Sequence, residues 1–422
     1  MSFKISKNLL YQLLFALCIG VPYLNIYELT FLVWVTTLFI TLKQKYSLTV
    51  FQYVLPYVVV MIVGSFTLFF YENTMYEIIR DITYLVKPII GMILGYQLCR
   101  SVSIKPMNTI VNVGLFIAIT HLIIIICNAI IHKVLNISAL REYSGYFSDF
   151  EVYALIIVLF HKQFEIFLSP KRFWLLFIII GISSFLYLSR ANFIQFGLFY
   201  IALKGYFNLN KRTIVILSSI VSLTLISYAI IYNNNYSRNG KGLEGLMYKI
   251  KNAPIEAFKT KIDKDDWQDF NDNFRSYENI LTVKQVSKEG TFAIIAGKGF
   301  GATIDLGRKV RTNDDTYVSH EAILHNAFMT VFLKSGLIGV FFMIYFIYIL
   351  MRQKKSEINM VKQINFLLVA TGIFLIFDNW VLLGLFLKTE QKSIVIGFIL
   401  CYKELINKAA AAQHPNIIYE TN

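Results

Sequence analysis

The chain contains 422 residues, of which 56% are hydrophobic and 16% are charged. A soluble globular domain carries about 25% charged residues, so this composition excludes an ordinary soluble protein and indicates that lipid surrounds much of the chain. The formal net charge of +14 does not indicate a nucleic-acid partner, because the Lys and Arg residues lie in short clusters between apolar runs, as in the cytoplasmic loops of membrane proteins.

Long apolar runs follow one another along most of the sequence. In hydrocarbon only helices or closed barrels satisfy the backbone, and these runs are too long for barrel strands. We therefore predict an all-α fold, that of a polytopic integral membrane protein with about twelve transmembrane helices. The predicted spans cover residues 8–26, 28–42, 49–71, 82–99, 108–131, 151–168, 173–189, 191–207, 213–232, 326–350, 363–384 and 390–407.

These spans divide the chain into four parts. Residues 1–232 hold predicted helices one to nine, 233–325 form one long hydrophilic loop, 326–407 hold helices ten to twelve, and 408–422 form a tail. Aromatic side chains within the loop predict a small helical cap that packs on the spans, because a linker would not need them. These aromatic residues are Trp267, Phe270, Phe274 and Tyr277.

The charges of the connecting loops predict the orientation. If the N-terminus lies in the cytoplasm, strict alternation places basic clusters such as Lys43/Lys45 and Lys171/Arg172 on the cytoplasmic side, where such clusters are retained. We therefore expect both termini in the cytoplasm and the loop 233–325 outside it.

The four cysteines do not form a recognisable framework. Cys18, Cys99, Cys127 and Cys401 lie within or at the edge of apolar runs, without a CxxC pair. We therefore predict neither a disulfide framework nor a zinc site.

Arg190 follows Ser189 where one apolar run gives way to the next, at the outer end of the predicted spans. A cation close to hydrocarbon costs about 2.5 to 3.5 kcal/mol on insertion scales, so such a residue commonly faces a cavity or an anionic partner. The alternative is an arginine that only extends its side chain to the headgroup phosphates.

His325 lies where the long loop re-enters the membrane. An imidazole titrates near neutral pH, so at a boundary between lipid and water it suits a general base, although a structural hydrogen bond is the alternative role. Asn326, Gly336 and Gly339 follow, and these residue types also serve as a helix start and as close-packing positions.

The loop itself carries two further candidates. Arg275 and Glu278 are about one helical turn apart, and Gly297, Gly299 and Gly301 follow them. No parallel-strand unit surrounds these glycines, so we predict no dinucleotide site. Instead, they allow a backbone turn to approach the membrane or an anion.

Several polar residues are predicted within the spans, and they keep a different class of function open. Lys87, His121, Lys334 and Asp378 could form an ion pathway, as in a secondary transporter or flippase. We find no matching pair of interrupted helices in two halves of the chain, which argues against this alternative.

Three elements occur in a fixed order: Ser189-Arg190 at the start of a span, Arg275 in a long loop before the GKGFG segment, and His325-Asn326 before Gly336-Leu337-Ile338-Gly339. Together they resemble the bacterial O-antigen polymerase and O-antigen ligase superfamily of polytopic membrane glycosyltransferases. The topology is similar over nearly the whole chain, whereas the motifs match over about residues 185 to 345.

The resemblance implies a metal-independent, inverting glycosyltransferase without a cofactor. Such an enzyme transfers glycan from undecaprenyl pyrophosphate at the outer face of the bacterial cytoplasmic (inner) membrane. Arg190 and Arg275 match the arginines that contact pyrophosphate, and His325 matches the proposed base. His320, with Glu321 beside it, is the competing base. The further substrate-binding candidates are His320, Asn326, Glu278 and Arg80.

We therefore expect a surface-polysaccharide polymerase that uses undecaprenyl pyrophosphate-linked oligosaccharide as its substrate. Membrane lipid and a chain-length regulator protein are further expected partners, and nucleic acid is not. In the ligase alternative, the glycan acceptor is the lipid A core. His320 and His325 are separated by four residues, whereas the ligase branch often carries two closely spaced histidines, which favours the polymerase.

Overall fold

The computed structural model describes residues 7–101, 105–133, 149–187, 189–207, 211–238, 240, 243–263, 265–311 and 317–413. It is mostly helical, with 76% helix, and this agrees with the predicted helical class. Among the described residues there are sixteen α-helices and one two-stranded sheet.

Nine helices precede the long loop and three follow it within the described residues. Those before the loop are α1 (Lys7–Gly20), α2 (Tyr27–Ile40), α3 (Leu48–Thr67), α4 (Met75–Ser101), α5 (Pro106–His132), α6 (Phe150–Leu159), α7 (Pro170–Leu186), α8 (Arg190–Leu203) and α9 (Lys211–Asn233). Those after it are α14 (Ala327–Met351), α15 (Asn359–Val381) and α16 (Lys392–Gln413).

Six of these helices are long and apolar enough to cross a membrane. They are Leu48–Phe70, Met75–Arg100, Pro106–His132, Thr213–Asn233, Ala327–Met351 and Asn359–Val381. This is compatible with a multi-pass membrane protein. A described helix lies in each of the twelve predicted runs, but a crossing by all twelve stays a prediction.

The sixth predicted span, 151–168, is the clearest difference from the expected boundaries. Its helix α6 ends at Leu159 and is followed by turns that reach Glu165, whose φ is +54°. Ten helical residues extend about 15 Å, roughly half the thickness of a hydrocarbon core. At the other end of the chain, α16 continues to Gln413 rather than ending at residue 407.

Helices α4 and α16 form a closely packed seam. A Cβ atom added at Gly95 would lie 2.0 Å from the backbone oxygen of Ile394, and one added at Gly397 would lie 1.9 Å from that of Met92. Only glycine permits this approach, because any side chain would overlap the backbone of the facing helix. The seam therefore fixes α16 against α4.

The long loop contains four helices and a β-hairpin, so the prediction of a purely helical loop was wrong in this respect. The elements are α10 (Leu243–Phe258), α11 (Trp267–Asp272), α12 (Phe274–Lys288), α13 (Thr291–Ala296), β1 (Ile304–Arg311) and β2 (Tyr317–Glu321). The strands are antiparallel, with Asp305 opposite His320 and Val310 opposite Val318. Alternating β-branched and polar residues in this stretch suit a half-buried ribbon better than a helix.

The glycine-rich segment from 297 to 301 inserts between the spans. The backbone N–H of Lys298 donates to Leu333 (2.8 Å), that of Phe300 to Gly64 (3.3 Å), and that of Gly301 to the Asp81 carboxylate (2.6 Å). The glycines thus allow the backbone to approach the membrane helices, as expected. The anion that they meet is the protein's own Asp81.

Candidate functional site

His325 and Glu278 form the centre of the candidate site. The carboxylate of Glu278 accepts from the backbone N–H of His325 at 3.2 Å and lies 3.0 and 3.1 Å from the ring Nδ1. The Glu278 side chain is only 1% exposed, whereas that of His325 is 50% exposed. Since an ionised carboxylate can only accept, Nδ1 carries the hydrogen and Nε2 is left as the basic nitrogen.

The pKa of His325 reflects two opposing effects. Partial burial lowers the pKa, whereas the hydrogen bond and the charge of Glu278 raise it, and the net result is a pKa above the ordinary value of histidine. The charge of Arg275 also lowers this pKa, which places Arg275 within electrostatic reach of the imidazole. The ring of Phe274 contacts the imidazole edge-on at 5.7 Å between ring centres.

Arg190 and Arg275 meet at one carboxylate. Arg275 Nη1 lies 2.7 Å from Oε1 of Glu256, and Arg190 Nη2 lies 4.0 Å from Oε2 of the same residue. Arg190 Nη1 also donates to the backbone oxygen of Lys249 at 3.1 Å. The two arginines are thus brought together although they belong to α8 and α12.

Helix α12 joins the arginine pair to the histidine. Arg275 and Glu278 are three residues apart in α12, so both side chains lie on the same side of the helix. One partner of the arginine pair and the partner of His325 are therefore fixed by a single helical turn. The three candidates Arg190, Arg275 and His325 consequently belong to one connected polar cluster.

Arg80 and Glu321 extend this cluster toward α4. Burial raises the pKa of Glu321, the nearby charge of Glu278 raises it further, and the charges of His325 and Arg80 lower it. Arg80 pairs with Glu77 in α4. Glu321 therefore acts on His325, whereas the sequence had suggested that it orients His320.

The structure places His320 apart from this cluster. His320 is exposed on β2, and its ring Nδ1 contacts the hydroxyl of Ser319 at 3.0 Å. Successive side chains of a strand point to opposite faces, which separates His320 from Glu321. Among the described residues, the polar contacts of His325 are with Glu278 rather than with His320.

Asn326 and the two following glycines have structural roles. Asn326 Oδ1 accepts from the backbone N–H of Met329 at 3.1 Å and so caps the N-terminus of α14. A Cβ atom added at Gly336 would lie 2.4 Å from the backbone of Ile295, and the φ of Gly336 is +61°. These contacts fix the point at which His325 leaves the membrane helix.

Two important partners were not found from the sequence. Glu256 is one of many acidic residues in the loop, and nothing in its local pattern distinguishes it. Asp81 pairs with Lys334 at 2.5 Å, and both side chains are fully buried. A lysine within an apolar run was a signal for this pair, because a buried cation requires an anionic partner.

We compared the chain with known proteins. It matches no family model and no curated protein sequence. The candidate site is therefore described by its own geometry.

This geometry combines three chemical capacities. The arginine pair binds an anion with fork-shaped donors, the half-exposed imidazole accepts a proton, and Glu278 fixes the imidazole tautomer. Together these features suit a group transfer in which a hydroxyl is deprotonated and an anionic leaving group departs.

Proposed function

We propose that this protein is a surface-polysaccharide polymerase of the bacterial cytoplasmic membrane, similar to the O-antigen polymerase and ligase superfamily. It transfers glycan from undecaprenyl pyrophosphate to the non-reducing-end hydroxyl of a lipid-linked repeat unit. The observation that carries this proposal is the convergence of Arg190 and Arg275 on one carboxylate, beside the His325–Glu278 pair.

His325 acts as the general base. Its Nδ1–H is held by Glu278, so Nε2 takes the proton of the acceptor hydroxyl as the hydroxyl oxygen bonds to the anomeric carbon. The Glu278 carboxylate stabilises the imidazolium that forms. Such proton transfer contributes typically about 10² to 10⁴-fold in rate.

Arg190 and Arg275 stabilise the leaving group. As the bond between the anomeric carbon and the diphosphate oxygen breaks, negative charge develops on undecaprenyl diphosphate. Guanidinium groups fixed in advance stabilise that charge without reorganising during the reaction. Attack from the side opposite the diphosphate inverts the anomeric configuration.

The location of the site suits a lipid-borne donor. His325 lies two residues before α14, and Arg190 is the first residue of α8, so both follow directly from apolar helices. A diphosphate carried on a prenyl chain would place its charged group at this depth. We expect the loop 233–325 to face the outside, where such substrates are polymerised.

The test is reconstitution with defined substrates. Purified protein in liposomes, supplied with undecaprenyl diphosphate-linked repeat units, is expected to produce a ladder of lengthened products. The variants Arg190→Ala, Arg275→Ala and His325→Ala should each abolish the ladder while inserting normally. Transfer to lipid A core without lengthening would identify the ligase instead, and uptake of substrate into vesicles without a new glycosidic bond would identify a transporter.

A further inference from the structure

Glu256 occupies the seat between the two arginines. Its two carboxylate oxygens are divided between them, with Oε1 2.7 Å from Arg275 and Oε2 4.0 Å from Arg190. Guanidinium groups bind carboxylate and phosphate oxygens with the same fork geometry. A group that bridges both arginines through its two oxygens therefore occupies positions that also suit the two phosphates of a diphosphate.

Glu256 is carried by a part of the chain with little lateral packing. The apolar window of α9 has no buried residues, and α10 is joined to α9 by hydrogen bonds from Tyr228 to Lys251 (3.0 Å) and from Lys251 to Asn234 (2.9 Å). On its other side α10 reaches α12, where the hydroxyl of Ser276 donates to the backbone oxygen of Glu256 at 2.6 Å.

The helical turn that carries Glu256 is itself weakened. Pro254 lies within α10, two residues before Glu256. Proline lacks an N–H and its ring displaces the carbonyl four residues earlier, so one hydrogen bond of the final turns is missing. This turn can therefore move away from the arginines at a lower cost than an uninterrupted helix could.

We propose that Glu256 is a positioning residue that exchanges with the diphosphate of the donor. This inference rests on the proposed function. Between turnovers its carboxylate holds Arg190 and Arg275 together, and the incoming diphosphate replaces it. After transfer, Glu256 competes for the same guanidinium groups and so speeds the release of undecaprenyl diphosphate.

The proposal has a definite sign. Two arginines and one glutamate have a charge sum of +1, and Glu256→Gln changes this sum to +2 without changing the side-chain size. Diphosphate should therefore bind more tightly and leave more slowly. A residue that only supported the arginines would have the opposite effect, because its loss would disorder the anion seat and weaken binding.

The experiment measures binding of undecaprenyl diphosphate to the full-length protein in nanodiscs. We expect Glu256→Gln to lower the dissociation constant by about five- to tenfold, as for loss of one competing charge pair of about 1 kcal/mol. In the transfer assay, the KM for the donor and kcat should both fall, because product release is slower. Glu256→Asp keeps the charge and should remain close to the wild-type protein in both measurements.

Asp272→Asn is the matched control. Asp272 pairs with Arg238 at 2.8 Å in the same loop, and its side chain is 25% exposed, compared with 24% for Glu256. This variant loses an equivalent ion pair away from the arginine seat, so its affinity for undecaprenyl diphosphate should equal that of the wild-type protein.

The outcomes separate this inference from the proposed function. If the wild-type protein binds undecaprenyl diphosphate but Glu256→Gln binds it equally or more weakly, only the role of Glu256 is overturned. An equal gain in affinity in Asp272→Asn would overturn it as well. If the wild-type protein does not bind undecaprenyl diphosphate at all, the proposed function fails and the exchange fails with it.

Discussion

Glu278 and His325 are 47 positions apart in the sequence, yet the carboxylate of Glu278 contacts both the backbone N–H and the ring Nδ1 of His325. The carboxylate is buried and the imidazole is half-exposed. A buried acceptor that holds an accessible imidazole in one tautomer is an arrangement suited to proton transfer.

The first prediction concerns the pH dependence of transfer. Because the pKa of His325 is raised above its ordinary value of about 6.5, the active neutral imidazole is lost as the pH falls through that raised pKa. Glu278→Gln removes the charge that raises it, so the acidic limb of the kcat/KM profile should move to lower pH. The maximal rate should also fall about ten- to hundredfold, because the imidazolium loses its partner. An unmoved limb would contradict this role of Glu278.

The second prediction distinguishes the two histidines. His325→Ala should reduce kcat by about 10² to 10⁴-fold, the usual contribution of a general base. His320→Ala should leave kcat within about twofold, because His320 is exposed on the hairpin and contacts Ser319. Steady-state rates of repeat-unit transfer check both values. Inactive His320→Ala together with active His325→Ala would reverse the assignment.

The third prediction concerns the shape of the cations. Arg190→Lys and Arg275→Lys keep the charge but remove the fork, so each should weaken transfer about tenfold or more. Donor titrations in the transfer assay measure this loss. Arg238→Lys, in the Asp272 pair of the same loop, is the control and should retain wild-type transfer. If all three variants behave alike, the fork geometry is not what matters at Arg190 and Arg275.

The fourth prediction concerns the buried pair Lys334–Asp81. Lys334→Met leaves Asp81 buried with an uncompensated charge, and such losses typically cost about 3 to 5 kcal/mol. The thermal unfolding midpoint of the purified protein should therefore fall clearly. The double variant Lys334→Met/Asp81→Asn should recover part of that loss, because the unpaired charge is gone. A double variant less stable than Lys334→Met would count against the pair.

The fifth prediction concerns orientation. A cysteine that replaces the exposed Asp263 of the loop should react with a membrane-impermeant maleimide added to whole cells. A cysteine that replaces Lys355, between α14 and α15, should react only after the cells are opened. Labelling of Lys355→Cys in intact cells would place the loop on the cytoplasmic side and remove the basis for polymerisation outside.

Much of the helical organisation could be predicted because lipid imposes a simple rule on the sequence. Every apolar run predicted as a span contains a described helix, since backbone groups in hydrocarbon must be paired within the helix. The run at 151–168 misled because apolarity does not reveal where a helix stops. The turn after Leu159 depends on Phe160 to Glu165, whose composition is not distinctive.

The site was predicted in part for a related reason. Arg190, Arg275 and His325 stand out because charged or titratable groups next to apolar runs need a partner. Glu256 could not be chosen, since a carboxylate in a polar loop is ordinary until its neighbours in space are known. His320 was overestimated because proximity in sequence to His325 does not place two side chains on the same face of a strand.

The glycine seam between α4 and α16 has a consequence for biogenesis. Lys87 in α4 donates to the backbone oxygen of Leu387, 300 positions later, just before α16 begins. During synthesis, α4 therefore enters the bilayer long before its packing surface is covered, and the finished bundle closes only when the last helix arrives. Nascent chains that stop short of α16 should leave this surface open and be recognised by membrane quality-control proteases.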